Sequence, residues 1–473
     1  MLQQGQANEM EKADESDNTA ATVGSIFRDH LDWIRNNGSF TDEQRKAANA
    51  IALCKTPALG TYVDYCPECK KVVGVRHFAC NNRNCPNCQY PLQEKWIQMR
   101  KNEVIPGTPY FHVILTLPHE LNSLVSQNAE PLLSLLFRSS AQAVIEMCED
   151  PHRLGAKPGI VSVLHTWTQD LRLHYHIHMI CSAGGINSFG NYVNLQNLYR
   201  ESEPCGSQEK ETDPVALSVL RELQEEDADS VSQDVNHASS SITAEPEKTQ
   251  SGGFFLPENA LASLFRGKFM AGLREMYENR KLALTGELDY LNDPRDWSNF
   301  CHALASTPWI GHIARTFEEK KGNAIDYLAR YVFRTAISNS RIVGYDGQMV
   351  SFLVRNNETP GQKDLKKLNV YEFISRFLSH ILPKGFTRVR FYGFLANGRK
   401  TQNLQKIFQQ IHAGPYTKSP LSNLRSEELF QALFPDTDFM KCPFCGGKIL
   451  RYQTDDLRPY LPALCRTRAA PAA

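Results

Sequence analysis

Two Cys-x-x-Cys pairs near the N-terminus constrain the fold of this chain more than any other feature. The pairs are Cys66/Cys69 and Cys85/Cys88, with 15 residues between them. Each pair can present two thiolates to one ion, and four thiolates complete the tetrahedral coordination of zinc. In a chain expected to be cytoplasmic, this spacing indicates metal rather than disulfides. We therefore predict one structural zinc site made of these four cysteines, with Cys80 as an alternative ligand.

Two further features surround this module. Lysines and arginines close to the cysteines could contact DNA phosphates, although the module could equally serve only to stabilise the fold. Near the C-terminus, Cys442 and Cys445 resemble half of a zinc knuckle. Two thiolates do not complete a site, and Cys465 is one candidate for a third ligand. Whether this pair binds metal stays open at this point.

The formal net charge of zero hides an uneven distribution. Residues 201–250 carry 13 acidic and 3 basic side chains, and residues 1–20 carry 5 acidic and 1 basic. The other residues hold 48 basic and 34 acidic side chains. A basic body with acidic segments suits a nucleic-acid partner, although an ordinary enzyme with a mildly basic surface is equally compatible.

Hydrophobic periodicity divides the chain into segments. There is no run of 18 apolar residues and no apolar leader, so we expect a cytoplasmic protein without a membrane span. The predicted order is a disordered N-terminus (1–22), a helical segment (23–55), a zinc-binding module (56–95), a catalytic domain (105–354), a helical basic region (355–430) and a tail with the last cysteine pair (435–473). Residues 200–252 are predicted to form an acidic, flexible insertion within the catalytic domain.

Three histidines alternate in the segment LHYHIHM. His174, His176 and His178 project from one face if the segment is a β-strand. Two neutral imidazoles at adjacent positions of one face can hold a divalent cation that polarises a phosphoryl oxygen. His165 lies on the preceding predicted strand and is a candidate third ligand, because a hairpin turning near Asp170 returns it to the same place. His174 is the competing third ligand.

Two tyrosines are spaced four residues apart in AIDYLARYVFR. Tyr327 and Tyr331 share one face of the predicted helix, and Arg330 and Arg334 form a second pair along a neighbouring face. Taken alone, such a pair more often consists of two core tyrosines on an amphipathic helix. Beside a metal site, however, a tyrosine hydroxyl can attack a phosphodiester while metal and cations stabilise the developing charge.

These motifs occur together in one family. A five-cysteine zinc ribbon is followed in order by HYHIH, FFLP…LFRGKF, YLARYVFRTAISNSRI and LPKGFTRVRFYGFLANG. The chain resembles the two-tyrosine HUH transposases of the IS91 family over about residues 23–200 and 254–450. It departs from the family in the acidic stretch, and Tyr175 replaces the proline expected after the first histidine.

The resemblance implies an α+β fold. An HUH-endonuclease-like antiparallel sheet carries the histidine strand at its centre, with flanking helices and a zinc-binding ribbon before it. It implies a rolling-circle transposase that cleaves and transfers single strands through a 5′-phosphotyrosine. Tyr327 and Tyr331 match the nucleophiles and His176 and His178 the metal pair, and relaxases of this class favour His165 as the third ligand.

Cofactors, partners and location follow from the same resemblance. The cofactors implied are structural Zn²⁺ and catalytic Mg²⁺ or Mn²⁺. The implied partners are single-stranded DNA at the element ends and target site and host replication proteins, in a bacterial cytoplasm at the nucleoid. The basic residues expected to contact DNA are Arg266, Lys268, Arg330 and Arg334. The alternative functions are an HUH replication initiator or relaxase, and a non-catalytic zinc-dependent DNA-binding regulator.

Overall fold

The structure is a computed structural model that describes residues 21–195, 256–317, 323–356, 361–424, 426–433 and 440–453, with residues 359 and 438. The predicted disordered N-terminus up to residue 20, the predicted acidic insertion and Cys465 lie outside the described residues.

Helices and strands of the described residues are numbered here in chain order. The helices are α1 Val23–Asp29, α2 Leu31–Asn36, α3 Asp42–Ala52, α4 Gln89–Lys101, α5 Asn122–Gln127, α6 Ala129–Glu149, α7 Glu258–Glu278, α8 Pro294–Ser306, α9 Asn323–Phe333, α10 Val370–Ser379, α11 Lys400–Gln410 and α12 Ser426–Leu433. The strands are β1 Thr61–Cys66, β2 Lys71–His77, β3 Tyr110–Thr116, β4 Lys157–Trp167, β5 Leu173–Ile186, β6 Tyr192–Asn194, β7 Ile310–Phe317, β8 Ile342–Tyr345, β9 Met349–Arg355, β10 Lys363–Asn369, β11 Val389–Gly393 and β12 Leu450–Gln453.

The predicted α+β fold is confirmed, with an antiparallel sheet at its centre. The strand order is β11-β4-β5-β3-β7, and β6 pairs with the end of β5. The histidine strand β5 therefore lies in the middle, as predicted. The predicted hairpin near Asp170 is also present, since Thr168 and Arg172 close the turn and Leu171 takes a positive φ.

The two faces of this sheet pack against different helices, because successive strand residues point to opposite sides. One face buries apolar residues against α6 and α7. Gly272 of α7 lies so close to Leu135 of α6 that a Cβ there would clash with the leucine side chain. The opposite face carries the histidines and packs against α9, the tyrosine helix, and α11.

A second core joins the N-terminal helices to the sheet β8-β9-β10 and to helix α10. Helix α3 is capped by Thr41, whose hydroxyl accepts from the Gln44 backbone amide in a capping box. The turn between β8 and β9 is at Asp346, whose carboxylate accepts from the amides of Gln348 and Met349.

The region 355–430, predicted to be helical, also contains strands. β10 extends the small sheet, and β11 is an edge strand of the central sheet beside β4. The polar run KDLKKLN shows little apolar alternation, and β11 is only five residues long, so the periodicity of these segments is weak. None of the helices among the described residues is long and apolar enough to cross a membrane.

Candidate metal and tyrosine site

The single four-cysteine site predicted from the sequence is divided between two clusters. Cys85 and Cys88 lie with Cys80 and also with Cys54, which comes from the end of the N-terminal helical segment. The sulfurs of Cys54 and Cys88 are 3.5 Å apart, and those of Cys80 and Cys88 are 3.7 Å apart. Tetrahedral zinc with zinc–sulfur bonds of about 2.3 Å separates its sulfurs by about 3.8 Å, so these four cysteines fit zinc.

The other predicted ligands, Cys66 and Cys69, approach Cys442 and Cys445 instead. Cys66 and Cys69 lie at the turn between β1 and β2, and the segment with Cys442 and Cys445 leads into β12, which pairs with β1 in one small sheet. The prediction of one zinc site grouped cysteines that are close in sequence. In the structure, Cys66 and Cys69 instead lie beside cysteines more than 370 positions away.

Three histidines of the central sheet meet at one point. His165 of β4 is the register partner of His176 of β5, and His178 lies two residues further along the same face. One ring nitrogen from each histidine lies within 4.8 Å of the corresponding nitrogens of the other two, and all three side chains are buried. His174, the competing third ligand, is not part of this cluster, although its ring lies 5.0 Å from that of His176.

Each histidine of this cluster uses one ring nitrogen in a hydrogen bond and leaves the other directed inward. His165 Nε2 bonds the Tyr331 carbonyl at 2.8 Å, and His176 Nδ1 bonds the His174 carbonyl at 3.0 Å. Among the described residues, His165 Nδ1, His176 Nε2 and His178 Nε2 have no hydrogen-bond partner. Buried polar atoms without partners are costly, so three together fit a bound cation.

The protonation state also suits metal binding, which requires neutral imidazoles. Burial lowers the pKa of His176 to about 4. Burial also lowers the pKa values of His165 and His178 well below the usual range. The charge of Arg388 lowers the pKa of His165 further, and His165 lowers that of His178 further. The rings are therefore uncharged at neutral pH, with a lone pair free on each inward nitrogen.

Both tyrosines of α9 lie against this cluster. The Tyr331 ring centroid is 4.2 Å from that of His178, and the Tyr331 hydroxyl donates to the Tyr327 oxygen at 2.9 Å. The i, i+4 spacing places the two rings on the same helix face, 5.1 Å apart. The structure thus brings together the histidine and tyrosine motifs, which are about 150 residues apart in the sequence.

His112 of β3 is a site residue that the sequence analysis did not identify. Its Nε2 is 2.8 Å from His178 Nδ1, and its Nδ1 is 3.0 Å from the Tyr327 oxygen. It therefore connects the histidine cluster to a tyrosine hydroxyl. The sequence feature that could have identified His112 is its position as a polar residue in the apolar run YFHVILTLP. A single histidine in such a strand is, however, more often a core residue.

Arg388, from the segment GFTRVRF, was also not identified. It is half-buried and donates to the carbonyls of Leu164, Tyr331 and Arg334 at 3.2, 3.0 and 2.7 Å. Burial and the charges of Arg83 and Arg334 lower the pKa of Arg388 to about 9, so it remains a cation at neutral pH. It holds the C-terminal end of the tyrosine helix against the sheet.

The predicted DNA-contacting residues do not all lie at this site. The charge of Arg334 depresses the pKa values of the three cluster histidines, which places Arg334 beside them. Arg330 lies on the tyrosine helix α9, and Arg334 directly follows the last residue of that helix, Phe333. Arg266 and Lys268, by contrast, lie on α7, which packs on the opposite face of the sheet, and there they contact the Ala305 carbonyl and Glu146.

We expect Arg388→Met to lower the free energy of unfolding by about 3 kcal/mol, because three carbonyls lose a charged donor at a half-buried position. Denaturant unfolding measures this value. Arg399→Met is the matched control, since Arg399 is exposed and should leave stability within about 0.5 kcal/mol of the wild type. Equal effects of the two substitutions would contradict the assigned role.

Comparison with known families agrees with this arrangement. The family model “Putative transposase” matches residues 159–204 and 239–403, which include the cluster histidines, both tyrosines and Arg388. The model “Transposase zinc-binding domain” matches residues 26–117, which include the Cys54, Cys80, Cys85 and Cys88 cluster. No solved structure matches the chain.

Two curated relatives match along most of their length. “Putative transposase y4qJ” of Sinorhizobium fredii (strain NBRC 101917 / NGR234) is 30% identical over 432 residues, covering 89% of this chain and 92% of that protein. The transposase for insertion sequence element IS801 of Pseudomonas savastanoi pv. phaseolicola is 24% identical over 444 residues, covering 91% and 89%. The chain therefore belongs to the IS91 family of transposases and has an N-terminal zinc-binding domain.

Proposed function

We propose that this transposase cleaves and rejoins single-stranded DNA by metal-dependent attack of a tyrosine hydroxyl, as in rolling-circle transposition. The observation that supports this most is the position of two tyrosine hydroxyls beside three buried histidines with free inward nitrogens. A non-catalytic regulator has no need for this costly burial of polar groups.

His165, His176 and His178 would hold the catalytic Mg²⁺ or Mn²⁺. The ion, when bound, polarises the scissile phosphate and offsets the charge that develops on it. Hydrogen bonds from the other ring nitrogens to the Tyr331 and His174 carbonyls fix two of these rings in orientation. Since α9 and β5 supply those carbonyls, the tyrosine helix and the histidine strand position the same site.

The hydrogen-bond chain indicates that Tyr327 acts first. If His178 Nε2 binds the cation, its proton lies on Nδ1 and is donated to His112 Nε2. His112 then carries its proton on Nδ1 and donates it to the Tyr327 oxygen. That oxygen also accepts from the Tyr331 hydroxyl, so two donors stabilise negative charge as Tyr327 loses its proton.

The reaction is a transesterification without change of oxidation state. The Tyr327 oxygen forms a bond to phosphorus, and the bond from phosphorus to the 3′ oxygen breaks. The proton that Tyr327 releases to water is balanced by the proton that the departing 3′ oxygen takes up from water, and the 5′ phosphate remains on the tyrosine. Only one hydroxyl occupies the in-line position at a time, so Tyr331, one helical turn away, would serve the second transfer.

The positive charge around the site suits a phosphodiester substrate. The charges of Arg334 and of the half-buried Arg388 both contribute to the lowered pKa of His165, so both guanidinium groups act on the histidine cluster. We infer that single-stranded DNA at the element ends and target site is the substrate, and that host replication proteins extend the released 3′-OH in the bacterial cytoplasm at the nucleoid.

Incubation with labelled single-stranded element ends and Mg²⁺ or Mn²⁺ tests the proposal. The expected result is a covalent protein–DNA adduct that requires the divalent ion and is absent with duplex DNA of the same sequence. Binding without an adduct under all these conditions would reject the catalytic proposal in favour of a DNA-binding regulator.

Deleting residues 203–250 is expected to leave folding and DNA cleavage largely intact. The segment is acidic and lacks periodic apolar residues, and the family match is itself interrupted between residues 204 and 239. Cleavage rate and thermal unfolding measure the effect. A Gly/Ser segment of equal length controls for the shortened connection. A deletion that precipitates or cannot cleave would show that the segment contributes to the core.

A further inference from the structure

Residues 440–453 lie against the N-terminal zinc-binding domain, although almost 400 residues separate the two segments in the sequence. Strand β12 pairs with β1 from Tyr62↔Gln453 to Tyr65↔Leu450, so the two segments form one antiparallel sheet. The buried Asp64 carboxylate accepts two hydrogen bonds from the Arg451 guanidinium, at 2.7 and 3.0 Å. The family match to the zinc-binding domain ends at residue 117 and does not include this C-terminal segment.

The two segments carry similar turns. Each has the sequence Cys-Pro-x-Cys, and the residue after the second cysteine takes a positive φ, 56° at Lys70 and 77° at Gly446. In each turn the next backbone amide, that of Lys71 or Gly447, is directed at the sulfur of the second cysteine. Amide donors to sulfur stabilise thiolates, so both turns are suited to metal coordination.

The turns face each other and bring four sulfurs together. Cys66 Sγ is 3.5 Å from Cys445 Sγ, and Cys69 Sγ is 3.7 Å from Cys442 Sγ. All four sulfurs lie within 4.8 Å of one another. These separations are close to the roughly 3.8 Å between sulfurs in tetrahedral zinc–thiolate sites. They are much longer than the roughly 2.0 Å of a disulfide.

Apolar packing at this sheet is too small to explain its stability. The buried apolar cluster consists of Cys66, Cys442 and Ile449, with Cys69 and Val73 partly buried against it. Small modules of this kind generally need a structural metal to fold, because they bury too little surface.

We propose that Cys66, Cys69, Cys442 and Cys445 bind a second structural zinc ion, separate from the Cys54, Cys80, Cys85 and Cys88 site. This ion fastens the C-terminal segment to the N-terminal domain and closes a loop that runs from Cys66 to Cys445. Cys465, which lies outside the described residues, is not needed as a ligand.

Zinc analysis of the full chain by native mass spectrometry tests this proposal independently of DNA cleavage. The wild type is expected to bind two zinc ions, and Cys445→Ser one. Cys445 is exposed, so its replacement removes a ligand with little loss of packing. The control Cys301→Ser alters a buried cysteine outside both clusters and should retain two. One zinc in the wild type, or two in Cys445→Ser, would overturn the proposal.

Alkylation of the wild type provides a second measurement should Cys445→Ser fail to fold. An exposed free thiol reacts rapidly, whereas a zinc-bound thiolate is protected. Cys445 is expected to resist alkylation until a chelator removes zinc, and then to react together with Cys66, Cys69 and Cys442. Rapid reaction before chelation would exclude the site. Protection that persists with chelator but disappears with a reductant would indicate disulfides instead.

Discussion

Replacing His176 or His178 by alanine is expected to reduce DNA strand cleavage to background, a loss of more than about a hundred-fold, while zinc content stays unchanged. Each change removes one of three inward ring nitrogens and leaves an incomplete site for the divalent ion. The cysteine clusters are built from other residues, so their zinc should be retained. Cleavage rates in chelated buffer resupplied with Mg²⁺ or Mn²⁺, together with zinc analysis, measure both effects.

His174→Ala is the matched control. The residue is equally buried on the same strand but lies outside the three-histidine cluster. The hydrogen bond that His176 makes to residue 174 uses the backbone carbonyl, so the substitution preserves it. We expect substantial cleavage by His174→Ala and severe loss by His165→Ala. The reverse result would make His174 the third ligand, and full cleavage by His176→Ala or His178→Ala would reject the site.

Phenylalanine substitutions of the two tyrosines are expected to separate the two transfers. The double variant Tyr327→Phe/Tyr331→Phe should form no covalent adduct but still bind DNA through its arginines. Each single variant keeps the ring packing and should fold, yet complete transposition should stop, because two sequential transfers need two nucleophiles. Cleavage of a single oligonucleotide should be affected less by Tyr331→Phe, since Tyr327 receives the hydrogen bond from His112.

Mass spectrometry of the adducted peptide identifies the nucleophile directly. Tyr345→Phe is the control, because Tyr345 lies on β8 and its hydroxyl is 2.9 Å from His30 Nε2, away from the histidine cluster. This variant should form the adduct at the wild-type level. An adduct on Tyr345, or on any residue outside 327–331, would show that the nucleophile lies outside helix α9.

Local periodicity predicted much of the candidate site. Alternation along LHYHIHM places His176 and His178 on one strand face whatever the rest of the chain does. The four-residue spacing likewise places Tyr327 and Tyr331 on one helix face. Each Cys-x-x-Cys pair is also a local property, because a tight turn is enough to present two sulfurs to one ion.

Tertiary structure alone decided which of these local units meet. The β4–β5 register places His165 opposite His176. His174 lies two residues before His176 on the same strand and is not part of the cluster. His112 and Arg388 gain their roles only because β3 and the segment before β11 lie beside the site. Sequence spacing favoured a zinc site within residues 66–88, but the pairing of β1 with β12 joined Cys66 and Cys69 to the C-terminal pair. Periodicity thus determines which face a side chain occupies, whereas its partner across hundreds of residues depends on strand pairing and helix packing, which short-range patterns do not encode.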